Sequence, residues 1–211
     1  MCEDDLEISV TAMLMSLPSA HSQHCRECKL RVRELLAVLY GDCRVNHAFG
    51  WPSEPAAYRG TRVGETLASV FDALCRHRGY EDFIRTPKMP PCDYYVSGPG
   101  FIVEFDESQH FTRPRRVTLR CYTPDLPVGF ELGEWMRLCE LWNSEDPTPP
   151  DRDERRAWYD CLRDLLPCHY GLEPTVRLYA GAFAWCSLRP DSPVDRRRFE
   201  SWIRGAWTGD P

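Results

Sequence analysis

The sequence predicts an α/β domain whose core runs helix, three strands, helix, strand, with a small cysteine- and histidine-rich helical lobe in front of it. Three observations carry that expectation. Apolar residues recur at helical spacing over residues 61–80, two alternating segments meet at Ser97-Gly98-Pro99-Gly100, and a C-x2-C pair stands near the N-terminus.

The bulk numbers set the frame. A chain of 211 residues suits one ordinary domain, and 43% hydrophobic with 27% charged residues is a globular composition. The net charge of -6 argues against a general nucleic-acid coat protein while leaving room for a local basic patch. The start, MCEDDLEI, is acidic and lacks the positive, apolar pattern of a signal peptide, and no run approaches the length of a membrane span. The expected compartment is therefore the cytoplasm, with no membrane partner. There the eleven cysteines, an odd number, should be thiols or metal ligands.

The elements follow in chain order. Residues 29–40 read as a helix between Cys25-Arg-Glu-Cys28 and the pair Cys43, His47. In residues 61–80, Leu67, Val70, Phe71, Leu74 and Cys75 line one helical face, and Gly79 marks the end. Residues 83–86 suggest a short strand before the breaker Pro87-Lys88-Met89-Pro90-Pro91. Residues 92–96 and 101–106 then form a hairpin across the Ser-Gly-Pro-Gly turn. A proline-rich break at 145–150 precedes a helix capped by Asp151, with Glu154 completing a capping box and Trp158, Leu162 and Leu165 on one face. Residues 175–180 close the core as a strand with Val176 and Leu178 on one side. The division expected is a lobe over 1–60 and a main domain over 61–211, with an insertion at about 112–150.

The chemistry concentrates in Phe101–Phe111, FIVEFDESQHF. Strand alternation sends Phe101, Val103 and Phe105 one way and Ile102, Glu104 and Asp106 the other. Two carboxylates on one face repel unless a proton or cation lies between them, and oxygen ligands suit Mg²⁺ or Mn²⁺. Asp93, on the preceding strand, can approach Glu104 across the ladder. Gln109 and His110 lie just beyond, where a histidine can move a proton.

The run from Glu104 to Phe111 resembles the E-x-D-G-x-Q-H-F signature of domains related to very-short-patch-repair endonucleases, within the PD-(D/E)XK restriction-endonuclease-like superfamily. The resemblance covers about residues 61–180. It implies an αβββαβ core, metal-dependent cleavage of DNA in repair, restriction or defence, and a tendency of relatives to form homodimers. It places Asp93, Glu104 and Asp106 at the metal, Gln109 and His110 beside it, and Glu65 as a helper from the leading helix. In the next helix it singles out Asp153 and Arg156. Two departures stand out: Glu107 replaces the motif glycine, and Asp106 replaces the lysine of the general motif. The second leaves two expectations side by side, a cutting enzyme and a non-cleaving zinc protein that binds nucleic acid or protein.

Cys25, Cys28, Cys43 and His47 have the paired-knuckle spacing of a structural Zn²⁺ site, with His21 or His24 as alternatives to His47. Arg113, Arg115, Arg116 and Arg120 form a basic group suited to a phosphate backbone. A second group, Arg196 to Arg198 with Arg204, is interleaved with Phe199, Trp202 and Trp207.

Overall fold

The computed structural model of the chain describes residues 24–208, so His21 lies outside the described residues. Helix α1 (Arg26–Tyr40) is capped by Cys25 and ends at Gly41, whose φ of 89° suits a glycine. Strand β1 (Cys43–His47) follows. Helix α2 (Arg62–Arg78) starts where Thr61 Oγ1 accepts the Gly64 N–H at 3.1 Å, and it stops at left-handed Gly79. Strands β2 (Cys92–Val96) and β3 (Phe101–Asp106) form the expected hairpin, with Tyr94 opposite Val103. Then come α3 (Arg113–Leu119), α4 (Leu132–Trp142), α5 (Arg152–His169), β4 (Val176–Tyr179) and α6 (Pro193–Thr208).

The four strands make one sheet in the order β1-β2-β3-β4. The first three pair antiparallel, and β4 joins β3 in parallel through the long connection that contains α5. One face packs Val103, Phe105, Val176 and Leu178 against Leu35 and Leu36 of α1 and Phe199 and Ile203 of α6. The opposite face packs Ile102 under Leu67 of α2 and Trp158 and Leu162 of α5. All six residues of β3 are buried, as befits an interior strand covered on both sides. No helix among the described residues is long and apolar enough to cross a membrane.

Two expectations change. Residues 83–86 do not form a strand: Phe83 is buried against Phe71 and Trp158, while the Arg85 and Thr86 N–H groups both donate to Tyr159 Oη, at 3.0 and 3.2 Å. A side chain satisfies that backbone in place of a ladder. The third strand is instead β1, so the described part of residues 1–60 contributes a helix and a strand to the common sheet. The elements run α1, β1, α2, β2, β3, α3, α4, α5, β4, α6 around a four-stranded mixed sheet, so the expected run of a helix and three consecutive strands does not occur: α2 separates β1 from β2. Residues 112–150 supply α3 and α4.

The capping box at Asp151 does not form either. Asp151 accepts from Arg85 at 3.0 Å, and Glu154 is paired with Arg78 of α2, so both acids join elements distant in sequence. Gly64 sits hard against the turn before α2, where an added Cβ would lie 1.9 Å from the Tyr58 carbonyl oxygen. Gly64→Ala is expected to lower stability by about 1–3 kcal/mol, read as a drop in denaturation midpoint at unchanged slope.

Candidate active site

The alternation read from the sequence places Glu104 and Asp106 on the α5 side of the sheet, and α5 meets them with charge. Asp93 N–H donates to Glu104 Oε1 at 3.1 Å, while Phe105 N–H donates to Asp93 Oδ2 at 2.9 Å. The two acids are thus locked in reciprocal register at the hairpin's open end. Arg163 reaches in from α5, with Nε 3.5 Å from Glu104 Oε1 and Nη1 3.3 Å from Asp160 Oδ1. Its Nε is buried without a hydrogen-bond partner. Burial pushes Glu104 up to about 7; Arg163 pulls the other way and Asp93 adds to the rise.

Asp106 has a different fate. It accepts from Arg177 Nη1 at 2.7 and 2.9 Å and from Trp135 Nε1 at 2.7 Å. Arg177, on β4 directly beside β3, is fully buried and also binds Asp164 at 2.6 Å and the Asp160 carbonyl at 3.1 Å. Arg115 Nη2 and Tyr122 Oη complete Asp164, at 2.7 and 2.6 Å. Burial works against the ionised form of Asp106, yet Arg177 and His110 outweigh it and lower its pKa. For Asp160 burial is likewise outweighed, chiefly by His110 and Arg177, and its pKa falls well below the usual value.

His110 belongs to the same network. Its Nδ1 lies 3.0 Å from Asp160 Oδ2 and 3.6 Å from Asp106 Oδ1. Burial disfavours imidazolium here, but Asp160 and Asp106 prevail and raise the histidine pKa.

The remaining expected residues divide. Gln109 donates its side-chain amide N–H to Glu107, at 3.2 Å, and its backbone carbonyl accepts from Arg156 at 2.8 Å. Arg156 and Asp153 engage Asp146, tying the proline-rich break to α5. Glu65 is exposed on the first turn of α2 and makes none of the contacts of this network. Arg113, Arg116 and Arg120 line an open cavity of about 590 Å³ together with His77. Arg115 does not join them, because it is buried on Asp164. In the second basic group Arg198 lies over the Phe183 ring, 4.4 Å from its centroid, and Arg204 pairs with Glu200.

Sequence reasoning missed Asp160, Arg163, Asp164 and Arg177. One signal was present: Asp153, Arg156, Asp160 and Asp164 recur at helical spacing along α5, and a lone arginine interrupts the apolar run Val176–Tyr179.

The metal expectations also change. Among the described residues, the side chains whose ligand atoms gather in a set of three within 4.8 Å are Cys25, Cys28 and Cys186, not Asp93, Glu104 and Asp106. This cysteine group could hold a metal ion. The Cys25 and Cys28 sulfurs are joined to each other as a disulfide, with Cys186 beside them. Cys43 and His47 fall outside the set. They follow the far end of α1, a 15-residue helix that spans about 22 Å, and the His47 ring stacks on Tyr95 at 4.8 Å. His24 lies 3.7 Å from Glu107.

No family model, curated protein or solved structure matches the chain.

Proposed function

We propose that the protein is a metal-dependent endonuclease that hydrolyses phosphodiester bonds in DNA on a restriction-endonuclease-like core. The observation that supports this most is the Asp93–Glu104 pair beside Arg163: two opposed carboxylates, one with a pKa of about 7, next to a guanidinium whose buried Nε faces Glu104 at 3.5 Å without a hydrogen bond. Asp93 and Glu104 fit Mg²⁺ or Mn²⁺, since such an ion needs only one or two carboxylates and fills its other positions with water and phosphate. When bound, the ion supplies Lewis acidity and a water activated at neutral pH. Asp93 holds Glu104 in place through the paired backbone bonds. The Arg163 guanidinium, paired at 3.5 Å with Glu104 through an Nε that makes no hydrogen bond, would turn to a phosphate oxygen when Glu104 is taken up by the metal. It supplies from α5 the cation that the missing motif lysine would have brought. His110, whose imidazolium form Asp160 and Asp106 favour, gives a proton to the leaving oxygen. Asp106 is a positioning residue that fixes Arg177 and Trp135. The cavity carrying Arg113, Arg116 and Arg120 seats the DNA backbone.

Supercoiled plasmid incubated with the protein and Mg²⁺ or Mn²⁺ tests this reading. Nicking is expected, with a loss of roughly 100-fold or more in Glu104→Ala and in Asp93→Ala. Undiminished cleavage by both variants would sink the assignment. A second reading, a non-cleaving zinc module that binds nucleic acid or protein, draws on the commitment of Asp106 to Arg177 and Trp135. It requires retained DNA or protein binding, no cutting in either metal, and no effect of Glu104→Ala on binding.

A further inference from the structure

We propose that Cys25, Cys28 and Cys186 bind one zinc ion that clasps the start of α1 to the turn after β4. The three cysteines come from opposite ends of the described chain, and a thiol or phosphine reductant must supply two electrons to open the Cys25–Cys28 disulfide into two thiols before the ion binds. Cys25 caps α1 and Cys28 lies buried in its first turn, while Cys186 sits in the 3-10 turn Trp185–Ser187. Their sulfurs lie within 4.8 Å of one another. Zinc–sulfur bonds of about 2.3 Å in a tetrahedron put thiolates about 3.8 Å apart, a spacing open to Cys25 and Cys28 once their disulfide is reduced, with Cys186 Sγ already within 4.8 Å of both.

Three further features favour an ion. Cys28 N–H donates to Cys25 Sγ at 3.1 Å, a bond that steadies negative charge on sulfur. Both sulfurs stand at the positive end of the α1 dipole. A metal site engages all three sulfurs of the group, where the disulfide engages two. His24, exposed and directly before Cys25, is the nearest candidate in sequence for the fourth corner.

The clasp has structural consequences. Trp185 adjoins Cys186 and packs on Phe105, Phe199 and Trp202, so an ion there fixes α6 and β3 against α1. Lys29, on the same turn of α1, is 3.5 Å from Glu107, whose other oxygen takes the Gln109 amide. The zinc end of α1 is therefore tied to the loop that carries His110.

The test uses the full chain, purified with a phosphine reductant and analysed for metals. One zinc per chain is expected, falling at least several-fold in Cys186→Ser and in Cys25→Ser but not in Cys43→Ser or His47→Ala. Should the cysteine variants fail to fold, cobalt substitution of the wild type reads the ligands directly, through intense sulfur-to-cobalt charge-transfer absorption. Zinc content unchanged by Cys186→Ser, zinc lost in Cys43→Ser, metal-free reduced protein, or a cobalt form without thiolate bands would each overturn the proposal.

Discussion

Arg177→Ala is expected to cost about 3–5 kcal/mol of folding stability, a large fraction of what a domain of this size possesses. The guanidinium is fully buried and touches three acids, but they do not depend on it equally. Asp164 keeps Arg115 and Tyr122, and Asp160 keeps His110 and Arg163. Asp106 keeps only the neutral indole of Trp135 as a short-range donor, with His110 3.6 Å away. The truncation therefore strands one buried carboxylate, and the loss is set by that charge more than by the arginine's packing. Two measurements separate these causes. Urea unfolding at acid pH should show a smaller penalty than at pH 7, because protonation of Asp106 removes the stranded charge. The double variant Arg177→Met with Asp106→Asn should be more stable than Arg177→Ala alone, since a neutral amide still accepts from Trp135. A penalty equal at both pH values, with no recovery in the double variant, would place the energy in packing instead.

That network also shows where the sequence stopped being readable. The second helix was legible because its signals are local: Thr61 offers a cap, Gly79 a left-handed stop, and Leu67, Val70 and Leu74 a face. The hairpin was legible for the same reason, and the period of two assigned Glu104 and Asp106 to one side correctly. Strand β1 was not legible. It is an edge strand with three exposed residues in Cys-Arg-Val-Asn-His, so it has no apolar alternation, and two of its side chains look like zinc ligands. Asp106 failed for a further reason. Its face could be read from the strand, but its partner is Arg177 on a strand that joins in parallel only after α5 crosses over. Nothing local couples the two positions, so an acid paired with arginine and an acid awaiting a metal look alike in sequence. The stripe on α5 was passed over, because charge at helical spacing ordinarily faces water. Here Asp160 and Asp164 turn inward onto Arg177 of β4, and that compensation is visible only in three dimensions.

Glu104→Gln should separate folding from function most sharply. Glutamate at 104 keeps its proton up to about 7 in the native state, against 4.5 in its ordinary setting. Between those values the folded chain binds more protons than the unfolded one, so wild-type stability falls as pH rises across the window. The full shift corresponds to at most about 3 kcal/mol, reduced in the variant by losing the attraction of Arg163. Glutamine stays neutral and still accepts the Asp93 N–H. Metal-free Glu104→Gln is thus expected to match wild type near pH 5 and to exceed it by about 1–3 kcal/mol at pH 8. A residual decline above pH 6.5 in the variant belongs to His110, whose raised pKa acts in the same direction. Adding Mg²⁺ at pH 8 should raise the melting temperature of the wild type, by binding the ionised carboxylate, and leave the variant unmoved. Cleavage should fall roughly 100-fold or more in the same variant. A residue whose neutralisation strengthens the fold while abolishing activity is held against folding's preference by what it does. If Glu104→Gln is instead less stable than wild type at pH 8 and Mg²⁺ shifts neither protein, then Arg163 already satisfies the carboxylate. The Asp93–Glu104 pair would then belong to the architecture and not to catalysis.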